Sequence, residues 1–212
     1  MTTLPQAPKS LADPAACEAR RELLSAPHMA ALTRYVEKLR AAGEGFVPDF
    51  DPLDGGVDAR ALFLLEKPGP MTDAEGTKRV GSGFISRDND DPTAEAIFTF
   101  MDEAGWDRRE TLLWNVMPWW NGRVKFDAAE RRRGLATLGE LRALLPRLET
   151  VVFVGGQAAR AKPLVENWGV RILECAHPSA RVRNLFPEKF ARIPVVWKDA
   201  RLGSKSNSGA EI

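Results

Sequence analysis

The 212-residue chain predicts an α/β fold, a three-layer α/β/α sandwich around a central four-stranded, mostly parallel sheet. Three observations carry that expectation. Four short apolar runs, ALFLLE (Ala61–Glu66), TLLWNV (Thr111–Val116), TVVFV (Thr150–Val154) and VRILEC (Val170–Cys175), have the length and continuity of strands buried on both faces. Single helical segments separate the runs, and such crossovers imply a parallel sheet with helices on both sides. The composition, 44% hydrophobic and 28% charged, is that of a globular domain, and the length suits one α/β domain with a short helical extension.

The elements follow in order. About the first 25 residues are rich in Ala and Pro with weak helical pattern, an irregular arm with room for one helix. Ser25-Ala26-Pro27 then opens a better helix, with Met29, Leu32, Val36 and Leu39 on one face and Gly43 as its stop. Gly43–Gly56 is a loop, broken by Pro48 and Pro52. The first strand leads into a long loop, Lys67 to Asp91, with four glycines and no periodicity, and so either functional or mobile. Asp91-Pro92 supplies an N-cap and an N1 proline to a helix with Ala94, Ile97, Phe98 and Met101 on one face, ending at Gly105. After the second strand, Asp127-x-x-Glu130 resembles a capping box for a helix carrying Leu135, Leu138, Leu141 and Leu145. Gly155-Gly156 turns the third strand into a helix from about Gln157 to Asn167, which Pro163 should kink. Pro194-Val195-Val196-Trp197 reads as a short edge strand or an extended tail. The expected organisation is an arm and helical extension over residues 1–59, an α/β domain over 60–200, and a flexible tail over 201–212.

Composition narrows the function classes. Net charge is +1, which argues against a generally basic nucleic-acid coat. The distribution is less even: residues 44–75 hold eight acids and two bases, and residues 177–205 hold seven bases and two acids. A local basic surface engages phosphates even when the total is balanced; a solvated tail would have the same composition. The two cysteines, Cys17 and Cys175, are too few for an iron–sulfur cluster or a structural zinc site, and reduced thiols are expected. No apolar run approaches the length of a membrane span, and the N-terminus lacks a signal-peptide core. A cytoplasmic protein without cofactor or membrane partner is expected.

In an open parallel sheet, ligands gather outside the carboxyl ends of the strands. Glu66-Lys67-Pro68-Gly69 follows the first strand. Asn115 ends the second, and Met117-Pro118-Trp119-Trp120 comes after it. Gly155-Gly156 follows the third, and His177-Pro178-Ser179 follows the fourth. A carboxylate, an amide and an imidazole are thus expected to share one crevice. Each also has a plainer reading: Glu66 as the partner of Lys67, Asn115 as a satisfier of loop backbone, His177 as a packing residue. Trp119 and Trp120 suit either stacking on unpaired bases or a hydrophobic lid.

The arrangement resembles the uracil-DNA glycosylase superfamily. Leu65-Glu66-Lys67-Pro68-Gly69 is similar to the family's first motif, in the branch that reads Gly-Glu-Ala-Pro-Gly. Leu113-Trp114-Asn115-Val116 matches the second motif and His177-Pro178-Ser179 the third, and the likeness spans about residues 60–198. Leu65 replaces the first glycine, and the iron–sulfur cysteines of that branch are absent, so the chain looks like a divergent member. The resemblance implies a monofunctional enzyme, expected to be a monomer, that flips uracil from DNA and hydrolyses its N-glycosidic bond for base excision repair. It implies that Glu66 and His177 are catalytic: Glu66 steadies the oxocarbenium-like sugar and orients water, and His177 donates to the departing base. Asp88 and Asp90 are rival carboxylates for the water. Lys67, Pro68, Gly69, Phe84 and Asn115 would hold the base, Phe84 by stacking, and Ser179, Arg181 and Arg183 would meet DNA, with Arg181 near the wedge position. Gly69 stands where stricter members place a tyrosine, which implies room for 5-substituted pyrimidines. A nucleotide-binding or non-catalytic damaged-DNA module is the rival class. It would lean on Gly155-Gly156 at a helix N-terminus, without a P-loop or a dinucleotide fingerprint.

Overall fold

The computed structural model describes residues 6–77 and 80–205. Its strands are β1 (Asp49–Phe50), β2 (Ala61–Leu65), β3 (Phe84–Ile85), β4 (Thr111–Asn115), β5 (Thr150–Val154) and β6 (Arg171–Cys175). Its α-helices are α1 (Pro14–Arg21), α2 (Ala30–Ala41), α3 (Pro92–Glu103), α4 (Ala128–Ala143), α5 (Lys162–Val165), α6 (Ala180–Leu185), α7 (Pro187–Ala191) and α8 (Ile193–Lys205). The main sheet has the order β4-β2-β5-β6, and every pair in it is parallel. The four apolar runs are its four strands, as expected. β1 and β3 form a separate parallel pair beside it.

Strand pleating sends successive side chains to opposite faces, and the aromatic contacts identify those faces. Phe63 of β2 meets Trp106 and Trp197 edge-on, at 5.8 and 5.0 Å between ring centroids, on the side covered by α3 and α8. Trp114 of β4 stacks on Phe50 at 3.7 Å and lies 6.2 Å from Tyr35, on the side covered by α2 and α4. Tyr35 donates from its hydroxyl to the Thr137 carbonyl at 3.2 Å, joining α2 to α4. Both faces are therefore covered, which is why β2, β4 and β5 are almost continuously apolar.

Helix ends follow local chemistry. Asp91 accepts from the Thr93 and Ala94 amides at the start of α3, and Asp127 accepts from the Glu130 amide at the start of α4. The Glu130 side chain does not return the bond, so the capping box is half-made. The stretch from Gln157 is not one kinked helix: a 3₁₀ turn over Ala158–Ala161, α5, and a 3₁₀ turn over Glu166–Trp168 succeed one another, because Pro163 removes a donor inside the segment. The better helix begins at Ala30, not at Ser25–Pro27.

Pro194–Trp197 is neither strand nor extended tail; it lies in the first turns of α8. Val and Trp favour strands as isolated residues, but Ile193, Trp197 and Ala200, all fully buried, repeat at helical spacing and seat α8 on the sheet. Residues 201–205 of the expected tail continue this helix, and 206–212 lie outside the described residues.

The N-terminal arm is ordered by charge. From α1, the Arg20 guanidinium reaches Asp51 and Asp88, and its Nη1 also bonds Ser86 at 3.3 Å. Arg108 bonds the same two acids and Asp54, at 2.6 Å to Asp51, 2.9 Å to Asp88 and 2.9 Å to Asp54. Arg87 adds a contact with Asp54 and donates to Thr111 at 2.5 Å. Arg20, Asp51, Asp54 and Asp88 are excluded from solvent. Burial would push Asp51 up, but Arg108 and Arg20 outweigh it and hold the carboxyl below its ordinary range. Burial wins at Asp54, which is pushed up to about 6 in spite of Arg87 and Arg108. The arm, the β1 segment, the loop through residue 88 and the turn before β4 are thereby tied at one point.

Breaking one partner of such a network strands the others without solvent. The Arg20→Met variant is expected to lose about 3–5 kcal/mol of stability. It should be measured as a fall in the urea midpoint at unchanged slope.

Candidate active site

At the carboxyl ends of the strands lies a cavity of about 340 Å³, in the range of small-molecule sites. Its floor is Leu65, Leu113 and Asn115. One wall is Lys67 to Thr72, another is Ile85, Ser86 and Asn89, a third is Asp91 with Thr93, Ala94 and Ile97 from α3, and His177 closes it. Leu113 and Asn115 are two apart on β4, and Leu65 pairs with Asn115. Pleating thus presents all three side chains on the α3 face.

Asn115 is 3% exposed, and among the described residues its buried side-chain oxygen takes no hydrogen bond. An unpaired buried amide oxygen is costly, and a ligand N–H entering the cavity would satisfy it. His177 crosses from the edge strand β6 over the end of β5. Gly155, at φ +97°, makes that passage possible: a Cβ there would sit 3.1 Å from the Cβ of His177. Burial lowers the His177 pKa from its ordinary value, and the Asp91 carboxylate pulls it the other way. The net fall leaves a neutral imidazole at neutral pH, able to donate from one nitrogen.

Lys67 lines the cavity, but its side chain is 4% exposed and its ammonium is engaged by other partners. It donates to Glu130 at 2.5 Å and to Asn121 at 2.8 Å. The same Glu130 oxygen accepts from Trp119 Nε1 at 3.0 Å and from Asn121 at 3.2 Å. This buried cluster locks the loop after β2 to the loop after β4. Trp119 is therefore a structural lid residue, not a free stacking platform. Trp120 makes a backbone bridge to Phe46. Pro68 and Gly69 lie at the wall, and a Cβ on Gly69 would meet nothing within 4 Å, so the space beside it is open.

Other expected site residues are not brought to the cavity. Glu66 is one step past Leu65 and takes the opposite side of the strand end. It is absent from the cavity wall, and its charged neighbours are Arg131, Lys67 and Arg160. Burial pushes its carboxyl up against their pull. Phe84 is fully buried in a satellite cluster with Leu11, Ala16 and Cys17, so it offers no face to a base; Ile85, on the other side of β3, lines the cavity instead. Asp88 is held in the Arg20–Arg108 network, and Asp90 is not a wall residue. Ser179 caps α6, its Oγ accepting from the Val182 amide at 3.3 Å. Arg181 and Arg183 are exposed on α6, outside the cavity.

The sequence reading missed Asp91, Ile85, Ser86, Asn89 and the α3 residues as wall groups. The Asp-Pro cap was visible; that the first turn of α3 opens toward His177 is a tertiary fact with no local signal. Among the described residues no helix is long and apolar enough to cross a membrane.

Titrating the ring resonances of His177 by NMR is expected to give a midpoint below 6.5. Because the folded-state value is depressed, the stability it contributes is present above the unfolded value and lost as pH falls through the folded one. A midpoint above 6.5 would contradict the burial.

No curated protein matches the chain. Among solved structures it is similar to the solution NMR structure of a "putative Uracil DNA glycosylase" from Methanosarcina acetivorans. The two are 13% identical with a TM-score of 0.41, over 68% of this chain and 93% of that one. The model of the Uracil DNA glycosylase superfamily matches residues 53–201. That span is well over half of the chain and takes in the whole main sheet and every strand exit described above. The protein belongs to the uracil DNA glycosylase superfamily.

Proposed function

We propose that this protein is a monofunctional DNA glycosylase that flips uracil out of DNA into the cavity and hydrolyses its N-glycosidic bond, leaving an abasic site. The observation that carries the reading is the convergence of Asn115, with its unsatisfied buried oxygen, and a neutral His177 on one cavity beside Pro68 and Gly69.

Asn115 carries a donor and an acceptor on one planar amide, which suits the uracil edge, an N–H beside a carbonyl. As the C1′–N bond breaks, its electron pair passes to the base and negative charge grows on the pyrimidine carbonyl. His177 donates to that oxygen, and such donors contribute about 3 kcal/mol or a little more. The oxygen of water bonds to C1′, and the proton it sheds passes to an acid at the sugar side. Low dielectric strengthens both interactions once the base fills the cavity.

The DNA would lie along α6 and the turn after it. Arg181 and Arg183 suit phosphate contacts, and Ser179 acts through the α6 cap. Leu185 and Phe186, 59% and 51% exposed, follow them at the end of α6, with the Lys189 ammonium 5.2 Å from the Phe186 ring centroid. Apolar side chains flanked by cations are the kind that wedge between base steps. The open space beside Gly69 supports entry of pyrimidines substituted at C5.

Incubation with a labelled oligonucleotide bearing one uracil, followed by alkali, is expected to give scission at that position. His177→Ala should lower the single-turnover rate about 10²–10³-fold, and Asn115→Ala should lower it and relax the choice of base. Uracil and 5-hydroxymethyluracil should be released at comparable rates. Intact strands with every substrate, together with a thermal shift on adding free nucleotide, would replace this reading with a nucleotide-binding one.

A further inference from the structure

Hydrolysis of a glycosidic bond needs negative charge near the sugar as well as a donor at the base, and the acid implied by the first motif is on the wrong side of the strand. The cavity itself offers a replacement. Among the described residues lining it, the one carboxylate is Asp91, and the other titratable groups are Lys67 and His177. Lys67 is already engaged by Glu130 and Asn121. Asp91 is held rigidly: its Oδ1 accepts from the Thr93 amide at 2.8 Å and the Ala94 amide at 3.1 Å. Both bonds land on one oxygen, and Oδ2 accepts no hydrogen bond among the described residues. Asp91 and His177 line the same cavity, and the Asp91 carboxylate works against the effect of burial on the imidazole.

The other acids are disposed of by their surroundings. Asp88 is solvent-excluded and shared by two arginines. Asp90 is not at the wall. Glu66 faces Arg131 and Arg160 on the α4 side.

We infer that Asp91, and not Glu66, is the carboxylate that faces the deoxyribose, favouring its cationic transition state and taking the proton of the attacking water. The inference rests on the glycosylase reading above. In this arrangement one oxygen of Asp91 caps α3 while the other faces the reacting sugar. The helix start thus fixes the carboxylate at the cavity, with its charge opposed to the donor at His177 across the substrate.

The dual role gives a clean test, since asparagine and serine cap helices about as well as aspartate. Single-turnover uracil release is measured for the full chain and for Asp91→Asn, Asp91→Ser and Glu66→Gln, with thermal melting of each. The expected result is a loss of at least about 10²-fold for both Asp91 variants, with melting temperatures close to that of the unsubstituted protein, and a rate within about threefold for Glu66→Gln. If Asp91→Asn or Asp91→Ser keeps the full rate, Asp91 is only a cap and the inference falls while the glycosylase reading stands. If Glu66→Gln loses as much as Asp91→Asn, the assignment to one carboxylate falls. If the unsubstituted protein releases no uracil, the glycosylase reading itself fails, and the inference with it.

Discussion

Successive side chains leave a β-strand on opposite faces, and at the carboxyl end of this sheet that alternation assigns each polar group its compartment. Leu65 goes to the α3 side and Glu66, the next residue, toward Arg131 of α4. Ile85 goes to the cavity and Phe84 to the satellite core. Leu113 and Asn115 go to the cavity and Trp114 to the stack with Phe50. A slip of one residue in any of these strands would exchange that strand's assignments at once. The parallel ladder, paired residue for residue from Ala61–Thr111 to Leu65–Asn115, is what makes that exchange unfavourable, because it would bring the charge of Glu66 into the space now held by apolar side chains.

The second organising element is electrostatic. Arg20 and Arg108 bind Asp51 and Asp88 where water does not reach. Buried ion pairs add little net stability relative to apolar packing, but their geometric demands are strict. Here they fix the segment carrying Ile85, Ser86 and Asn89 against β1 and the arm. The Lys67–Glu130–Trp119 cluster does the same for the opposite wall. The cavity is therefore bounded by two buried polar clusters, and its shape does not depend on loop packing alone.

Much of the fold was legible because the signals were local and redundant. The strands are continuous apolar runs, and the caps at Asp91 and Asp127 sit beside apolar periodicity. α8 was legible in principle, through the spacing of Ile193, Trp197 and Ala200, but Val195-Val196 masked it. The candidate site was legible in part: Asn115, His177, Lys67, Pro68 and Gly69 reach one cavity from three strand exits. Glu66 and Phe84 are not among the wall residues, because a motif specifies neighbourhood, whereas one step along a strand decides the face. The arginine–aspartate network had no sequence signal, since its bonded partners are 20 to 68 residues apart and nothing local distinguishes them from surface charges.

The superfamily match begins at residue 53, yet Arg20 and Asp51, which brace the cavity wall, lie ahead of it. The matched span is therefore not the whole of the structural unit. The matched portion holds every residue that lines the cavity, but an upstream helix with no part in any motif braces one wall of it. Grafting the matched segment alone onto another scaffold would transplant the cavity without its brace.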